Sequence, residues 1–516
     1  MCDGTTTHLN HMIEHARALR EKYLSDPYRP GYHFVVPEGL HGPVDPNGGL
    51  FWNGRYHLCY IFQHQGKHYW GHVSSVDLVH WRHHPPALGP GEGDEGIFSG
   101  GAFIDQNGVA TITYWGLGNP RGICIATSTD PQLDRWTKSP HNPVIRETQH
   151  GLTVAPSSCG DGETVYGAAD PSAIWFHEGR YYMLTGNLLV LREFGHKRNM
   201  PAHLGDTLYL FVSDDLAKWT YLHTFYKSRR EWTRETEDDM CPDFFPLPAS
   251  PKGGPPSDRH MILFISHNLG AQYYIGRYAD DAFEPETHGR MTWVDNEYFA
   301  PESLVDAAGR RIMWSWVFDR REQATRQASG WSGELSLPRL LWLGEDGTLR
   351  MRPVDELQCL RCNEKSRRNL KLKADADLPL DDISGNSIEL AVQLNPGSAK
   401  QFGVKVCCSP DGQEETAIYC DTADNTLKID TRKSSLGEGP KLIEAGPFEL
   451  QVGEKLDLRV FVDKSIVEVY ANDRQAVVRR IYPSLPESTG VKLFASGGDA
   501  AVSRLRAWEM MPSNPY

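Results

Sequence analysis

The chain has 516 residues, more than one ordinary hydrophobic core can organise, so we expect two domains. Its formal net charge of -14 repels nucleic acid and anionic membranes, and it disfavours a polyanionic substrate. With 14 Trp and 21 Tyr the composition suits a neutral sugar ligand, because sugars are held by aromatic faces and a few polar groups. An aromatic-rich all-β core would give the same count.

The N-terminus, residues 1–10, is polar, and no apolar run of signal-peptide or membrane-spanning length follows it. We therefore expect a cytoplasmic protein. Ten Cys are scattered without the paired spacing of a secreted scaffold, which indicates free thiols. Cys359 and Cys362 have CxxC spacing but no matching second pair, and the 21 His show no metal-ligand spacing, so neither a metal nor a cofactor is expected.

An amphipathic helix of about four turns is predicted in an extension over residues 1–29, from apolar residues at helical spacing. These are Leu9, Met12, Ile13, Ala16 and Leu19. We expect this helix to pack on the outside of the domain that follows it.

Residues 30–345 contain short runs rich in aromatic and β-branched residues, separated by Gly, Asp and Asn. Acidic or Gly- and Pro-rich landmarks recur at positions 45, 99, 170, 241 and 302, with spacings of 54, 71, 71 and 61 residues. A period near 60 holds about four short strands, the size of one β-propeller blade. We therefore predict five blades whose innermost strands bring distant carboxylates together. The alternative is that the acidic landmarks mark surface turns.

The remainder of the chain is predicted to be a linker and a second β domain. Residues 346–380 are rich in charge and are assigned to the linker. Residues 381–516 contain alternating apolar and polar stretches, such as 387–394 and 456–462, that are typical of a β-sandwich. The predicted fold class is thus all-β: a five-bladed β-propeller followed by a C-terminal β-sandwich, with a short N-terminal helix.

An ordered set of short motifs in this chain resembles glycoside hydrolase family 32, the β-fructofuranosidases, inulinases, levanases and related fructosyltransferases. The resemblance covers nearly the whole chain. The motifs are Tyr32-His33-Phe34, Asp45-Pro46-Asn47-Gly48, Trp70-Gly71-His72, Asp77 to Trp81, Phe98-Ser99-Gly100, Ala169-Asp170-Pro171, Cys241-Pro242-Asp243, Gly330 to Arg339 and Val462 to Tyr470.

The resemblance implies roles for two of the acids. Cleaving a glycosidic bond needs one carboxylate at the anomeric carbon and one protonated acid at the leaving oxygen. By resemblance, Asp45 is the nucleophile that attacks C2 of a fructosyl unit and forms a covalent fructosyl-enzyme. Asp170 would grip the sugar hydroxyls and strengthen its hold in the oxocarbenium-like transition state. Neither role requires a metal or a cofactor.

The proton donor departs from the family pattern. The family usually places Glu directly before the Cys of Glu-Cys-Pro-Asp, whereas Met240 occupies that position here. Glu237 opens a longer form, Glu-Asp-Asp-Met-Cys-Pro-Asp-Phe-Phe, that resembles a variant branch, and we predict it to be the general acid/base. The alternatives in the same segment are a solvated acidic loop or one of the neighbouring acids, Glu235, Asp238 and Asp239.

Two further departures lie beside these motifs. Ala169 stands where the family usually has the Arg of Arg-Asp-Pro, and Gly42-Pro43-Val44 replaces Trp-Met-Asn. The first removes a positive charge from the sugar site. Residues predicted to bind substrate, by family position or by their place in the last blade, are Asn47, Gln63, Trp70, Phe98, Ser99, Glu302 and Trp331.

The sequence therefore predicts a retaining hydrolase that releases fructose from β-fructosides of the sucrose, fructooligosaccharide, inulin or levan type, with fructosyl transfer as a related activity. Its partner would be a small carbohydrate, with no nucleic acid and no membrane. Two alternatives remain open. One is an arabinofuranosidase-like inverting hydrolase on a five-bladed propeller, whose carboxyls would stand farther apart. The other is a non-catalytic sugar-binding homologue, favoured if Met240 means that the acid is lost.

Overall fold

The computed structural model describes residues 3–39, 42–148, 169–187, 205–437 and 439–514, with the side chains of 3–9 and 19 left aside. The described residues form five antiparallel sheets, which follow one another along the chain, and then two six-stranded sheets. Two α-helices accompany them, α1 (Asp3–Ser25) and α2 (Gln323–Ser329). The fold is a five-bladed β-propeller followed by a β-sandwich, as predicted.

Each blade is built from consecutive strands. Blade one contains β1 (Pro46–Trp52), β2 (Arg55–His64), β3 (Lys67–Ser75) and β4 (Arg82–Leu88). Blade two contains β5 (Asp94–Ile97), β6 (Ala102–Ile104), β7 (Ala110–Gly118), β8 (Gly122–Ser128), β9 (Thr137–Lys138) and β10 (Ile145–Arg146). Blade three contains β11 (Ala169–Pro171), β12 (Trp175–His177), β13 (Arg180–Gly186), β14 (Thr207–Ser213) and β15 (Thr220–Lys227).

The last two blades complete the propeller. Blade four contains β16 (Met240–Pro248), β17 (Pro256–Ser266), β18 (Gly270–Ala279) and β19 (Ala282–Arg290). Blade five contains β20 (Tyr298–Val305), β21 (Arg311–Val317), β22 (Glu334–Leu335), β23 (Arg339–Leu343) and β24 (Leu349–Pro353). The first strand of each blade lies at one end of its sheet, so these five strands face the propeller axis.

A shared irregularity interrupts the innermost strands. The register shifts between Asn47 and Leu50, Ala169 and Pro171, Met240 and Asp243, and Phe299 and Glu302. Left-handed backbone φ values mark the same points, at Gly48 (57°), Asp170 (44°), Cys241 (49°) and Ala300 (44°). In blade two the strand is broken at Gly100, where a Cβ would lie 2.0 Å from the Thr113 carbonyl oxygen. Because a bulge re-aims side chains, these repeated bulges explain how sequence landmarks about 60 residues apart become one site.

The sandwich strands are β25 (Arg361–Leu372), β26 (Ala376–Ser384), β27 (Ser387–Asn395), β28 (Gln401–Cys408), β29 (Thr416–Asp421), β30 (Thr426–Asp430), β31 (Ile443–Pro447), β32 (Leu456–Asp463), β33 (Ile466–Ala471), β34 (Gln475–Arg480), β35 (Gly490–Ser496) and β36 (Ala500–Met510). Their spatial orders are β25-β36-β27-β32-β33-β34 and β26-β35-β28-β29-β30-β31. Alternate side chains of β27 and β32 enter the core between the sheets, as the alternation predicts.

The segment assigned to a linker, 346–380, is ordered structure instead. It holds β24, a short 3-10 helix (Asp355–Leu360) and β25, and it enters β26. Six of the charged residues that suggested a linker lie on β25, an edge strand in which only Leu372 is buried. Charged side chains on an edge strand discourage pairing with other chains, so charge there is compatible with a strand.

Helix α1 exists as predicted, but those of its predicted apolar residues whose side chains are described do not pack as expected, while the side chains of Leu9 and Leu19 lie outside the described part of the structure. Met12 and Ile13 are exposed, and Ala16 also faces solvent. Contact with the propeller is made near the end of the helix, where the Tyr23 hydroxyl donates to the Gly330 carbonyl. Within the described residues, no helix combines the length and the apolar character needed to cross a membrane.

The propeller and the sandwich are joined through buried charges. Asp463 at the end of β32 accepts hydrogen bonds from the backbone N–H groups of Gly31, Tyr32 and His33 and from the His33 ring. Glu468 on β33 accepts a bond of 2.6 Å from Arg339 of blade five. Two of the sequence motifs, Tyr32-His33-Phe34 and Val462 to Tyr470, are therefore the two sides of one interface.

Candidate active site

Asp45 is held rigidly just before β1. Its carbonyl accepts the Ile61 N–H at 3.0 Å and the Asn47 side-chain amide at 2.7 Å. Asn47 in turn accepts the Gly100 N–H at 3.0 Å, which ties blade one to blade two. Of the carboxylate oxygens, Oδ2 accepts the Ser99 hydroxyl at 2.8 Å, and Oδ1 is buried without a partner among the described residues. Oδ2 is thus held by a hydrogen bond, and Oδ1 is available to react with a substrate.

Asp170 faces the same region from blade three. The bulge of β11 places this residue in the left-handed region, which directs its side chain toward blade four. Its Oδ2 accepts the Cys241 thiol at 3.5 Å, and its Oδ1, like that of Asp45, is buried with no partner in the described part of the chain. Cys241 is a site residue that sequence analysis used only as a landmark.

The two carboxyl groups share one electrostatic environment. Burial raises the pKa of Asp45 to about 6, against the opposing effects of the Ser99 hydrogen bond and the charge of His267. Burial, and then the charge of Asp45, raises the pKa of Asp170 to about 7. Two acids that interact in this way give up their protons one after the other, so the first carboxylate forms at a lower pH than the second.

His267 completes the cluster and was missed by sequence analysis. It follows the last residue of β17, and Asp238 accepts both its Nδ1–H at 2.5 Å and its backbone N–H at 2.8 Å. Burial lowers the pKa of this imidazole, but the charges of Asp238, Asp170 and Asp45 together raise it to about 9. A signal was present in the sequence, since a His directly follows an apolar strand in the blade that carries the acidic segment.

Glu237 does not join Asp45 and Asp170. Its carboxylate forms a bidentate ion pair with Arg290, with both N–O distances at 2.9 Å. It also accepts a hydrogen bond from the Gln272 side-chain amide at 3.0 Å. Burial favours the protonated form, but the bonds from Arg290 prevail and lower the pKa of Glu237. Its side chain is fully buried. These surroundings do not fit the predicted proton donor, because a general acid must hold its proton and reach the substrate.

The other acids of the segment also stand apart. Asp239 is fully buried, neither of its oxygens has a hydrogen-bond partner among the described residues, and burial together with Asp206 and Asp238 raises its pKa well above the usual range. Glu235 is exposed. Asp238 is committed to His267.

Two of the three departures from the family pattern, Ala169 and Met240, meet in space. Ala169 pairs with Gly186 of β13, and a Cβ built on Gly186 would lie 2.9 Å from the Met240 sulfur. Ala169 and Met240 are both buried and belong to the same hydrophobic cluster. Where the family pattern has an Arg and a Glu, this chain has apolar packing.

Predicted substrate-binding residues differ in their surroundings. Ser99 and Asn47 hold Asp45, as described above. Trp70 is fully buried and donates its indole N–H to the Phe98 carbonyl at 3.1 Å, so it supports the site from behind. Phe98 is partly exposed, with its ring 4.5 Å from that of His68, and the exposed Gln63 donates to the Gly42 carbonyl at 2.8 Å.

Two further residues predicted to bind substrate make structural contacts between segments of the chain. Glu302 accepts the Gly49 N–H at 2.6 Å, which ties blade five to blade one and helps close the ring. Trp331 is fully buried against the N-terminal segment, where its indole N–H donates to Asp26 at 2.5 Å and Arg321 lies 4.5 Å from its ring centre. The sequence pattern put both in the last blade but could not indicate which way they face.

Within the described residues, one group combines metal-ligand side chains: His72, His84 and Asp134. Both nitrogens of His84 are engaged, with Asp134 at 2.6 Å and with Ser74 at 2.7 Å. The His72 and His84 rings are stacked 4.3 Å apart, so their in-plane lone pairs do not converge on one point. This geometry is a hydrogen-bonded stack and does not fit a shared ion.

Comparison with known proteins identifies the family. Sequence models of the Glycosyl hydrolases family 32 N-terminal domain and of the family 32 C terminal match residues 33–353 and 356–509. The chain belongs to glycosyl hydrolase family 32. Among family 32 relatives, a sucrose-6-phosphate hydrolase of Zymomonas mobilis is 30% identical, with 96% of this chain and 94% of that protein aligned. A levanase of Bacillus subtilis is 29% identical over 95% of this chain and 71% of its own length.

Solved structures agree with the fold. Fructan 1-exohydrolase IIa from Cichorium intybus superimposes with a TM-score of 0.80 at 24% identity, over 94% of this chain and 98% of that one. This likeness covers the propeller and the sandwich together. It shows that the fold of both domains matches that of a solved structure.

Proposed function

We propose that this family 32 protein is a retaining β-fructosidase that releases a terminal fructose from a small β-fructoside. The observation that carries the proposal is the pairing of Asp45 and Asp170, two buried carboxyl groups from different blades, each with one oxygen free of hydrogen bonds among the described residues. Burying a carboxylate without hydrogen-bond partners lowers the stability of the fold. Carboxyl groups with perturbed pKa values are concentrated at functional sites.

The roles of the two acids follow from their contacts. Ser99 holds Oδ2 of Asp45, so Oδ1 attacks C2 of the fructosyl unit and forms a covalent ester. This attack inverts the configuration at C2 of the β-fructoside once. Water then displaces the ester with a second inversion, which gives net retention. Asp170 accepts hydrogen bonds from the sugar hydroxyls, and these bonds strengthen as positive charge develops on the ring.

The relatives support transfer of a fructosyl unit to water, but they do not indicate which group the fructosyl unit is attached to in the substrate. They are named as a sucrose-6-phosphate hydrolase, a levanase and a fructan exohydrolase, whose substrates share a fructosyl unit. We therefore propose β-fructosides as the substrate class, with transfer to a sugar acceptor as a side reaction. We also propose that the protein is located in the cytoplasm.

One observation favours a second candidate, a sugar-binding homologue without catalysis. Met240 replaces the Glu that usually donates the proton, and Ala169 replaces the Arg beside it. Such a protein would bind fructosides and leave them intact.

A panel of fructosides and arabinofuranosides, incubated with the pure protein in water with added methanol, tests these alternatives. We expect released fructose and methyl β-fructofuranoside, the retained product. Released arabinose, an inverted methyl α-fructofuranoside, or binding of fructosides without turnover would each contradict the proposal.

A further inference from the structure

We propose that His267 is the proton donor of this enzyme and that Asp238 is its positioning residue. The inference rests on the proposed fructosidase function and concerns the group that replaces the usual Glu of Glu-Cys-Pro-Asp. It assigns a role to a basic side chain near Asp45 and Asp170 that reaches solvent and carries a proton at neutral pH.

Accessibility separates His267 from the acids of the same segment. Its side chain is 38% exposed, whereas those of Glu237 and Asp239 are fully buried. Asp238 occupies Nδ1, and Nε2 has no hydrogen bond to a described residue. A donor must come within hydrogen-bond distance of the leaving oxygen. The exposed part of His267 can be reached by a substrate without a change in the fold.

The position of His267 in the propeller suits the task. Met240 on the innermost strand of blade four pairs with Ile265, and His267 follows two residues later. The imidazole therefore projects from the strand next to the one that carries the family acid. Its ring contacts Phe299 of the innermost strand of blade five, with centres 5.6 Å apart. His267 thus stands between blades four and five, near the axis that Asp45 and Asp170 also face.

Charge supports the same assignment. Three carboxylates, Asp238, Asp170 and Asp45, act on His267 and favour the imidazolium, and its charge in turn lowers the pKa of Asp45 and of Asp170. Two further contacts of His267 are with uncharged groups: the Phe299 ring, and the Asn296 amide, which donates to the His267 carbonyl at 2.6 Å. The histidine therefore carries its proton when Asp45 is ionised, as the first step requires.

The reaction balances with these groups alone. In the first step the Asp45 Oδ1–C2 bond forms, the bond from C2 to the leaving oxygen breaks, and Nε2 of His267 gives its proton to that oxygen. In the second step neutral His267 takes a proton from water as the water oxygen attacks C2, and the ester to Asp45 breaks. The imidazolium and the carboxylate are both restored.

Replacing His267 by Gln tests the role through the leaving group. For sucrose, whose leaving group needs a proton, we expect kcat/KM to fall by about 10²- to 10⁴-fold. For 4-nitrophenyl β-fructofuranoside, whose phenolate departs without a proton, kcat/KM should remain near that of the wild type. Added azide should accelerate the second step and yield fructosyl azide. His223→Gln, a partly buried histidine of the outer strand β15, is the matched control and should leave the ratio of the two substrates unchanged.

Asp238→Asn provides an independent readout that a loss of folding would not produce. Removing this carboxylate lowers the pKa of His267, so the alkaline decline of kcat/KM for sucrose should move to lower pH. Thermal unfolding of each variant reports whether it folds.

The outcomes separate two failures. If wild-type protein hydrolyses no fructoside, the proposed function is overturned together with this inference. If wild-type protein is active while folded His267→Gln loses sucrose and 4-nitrophenyl fructoside activity equally, or keeps both, only the assignment of the donor is overturned. That assignment is also overturned if Glu237→Gln or Asp239→Asn shows the leaving-group pattern instead.

Discussion

Asp45 and Asp170 lie 125 positions apart in the sequence, yet the pKa values of both are raised by burial at one site. Asp45 can attack only as a carboxylate. Under the proposed mechanism, the raised pKa of Asp45 limits activity on the acidic side, and loss of the His267 proton limits it on the alkaline side. Both limits can be measured.

We expect a bell-shaped dependence of kcat/KM on pH. Activity should rise as pH increases through about 6, where Asp45 loses its proton, and fall as pH increases through about 9, where His267 loses its own. Initial rates with dilute sucrose over a series of buffers give this profile. A profile that keeps rising beyond the pKa of His267 would contradict its role as an acid.

Replacing Asp170 by Ala should reduce kcat by at least about 10²-fold and change KM much less, because its hydrogen bonds to the sugar strengthen in the transition state. Steady-state kinetics with sucrose and the affinity for fructose, measured by calorimetry, separate the two effects. An unchanged kcat with a raised KM would make Asp170 an ordinary binding residue.

Sequence reasoning predicted Asp45, Asp170 and Ser99 because their motifs are ordered and specific. It did not predict the partners of Glu237, since nothing in the local pattern shows that Arg290, 53 residues away, meets it. It also passed over His267, because a single His carries little weight until a fold places Asp238 beside it. Contacts between distant strands were the missing information in both cases.

In the strands and blades too, local sequence patterns predicted some features of the fold and missed others. Short strands and recurrent landmarks predicted five units, and the bulges of β1, β11, β16 and β20 give that period its physical cause. The charged edge strand β25 was assigned to a linker because its alternation is obscured by Lys and Arg on both faces. Local patterns predicted strands such as β27 and β32, which have one buried face.

Glu237 supports a structural prediction for blade four. Glu237→Gln should lower the free energy of unfolding by about 1–3 kcal/mol, because the Arg290 guanidinium loses its charged partner. Since the folded-state pKa of Glu237 is lowered, its contribution exists above the usual carboxylate range and disappears as pH falls through the folded-state pKa. Urea unfolding at neutral and acidic pH measures this difference.

The same variant has an expected effect on activity. Because Arg290 holds the Glu237 carboxylate in a buried ion pair, Glu237→Gln should keep the wild-type ratio of sucrose to 4-nitrophenyl fructoside activity. A selective loss of sucrose activity in the folded variant would instead make Glu237 the proton donor.

The two halves of the molecule depend on buried ion pairs at their interface. Asp463 and Glu468 of the sandwich raise the pKa of His33 to about 9 in spite of burial. The stability that this histidine contributes is complete below its usual pKa and is lost as pH rises through about 9.

Asp463→Asn should therefore lower the free energy of unfolding by about 3–5 kcal/mol, because a buried charge loses its partner. The deficit should shrink in alkaline buffer. Asp499→Asn, which removes an exposed partner of Lys373, is the control and should unfold like the wild type. Equal unfolding midpoints for Asp463→Asn and the wild type would show that the interface does not depend on this carboxylate.

Trapping the covalent intermediate tests the central claim, that Asp45 carries the fructosyl group during turnover. His267→Gln should form the ester rapidly from 4-nitrophenyl β-fructofuranoside and hydrolyse it slowly, so the ester accumulates. Mass spectrometry of the acid-quenched and digested protein should find one fructosyl group on the peptide that contains Asp45, and none when Asp45→Asn is added. A fructosyl group on another residue, or burst release of nitrophenol without any protein adduct, would contradict the account.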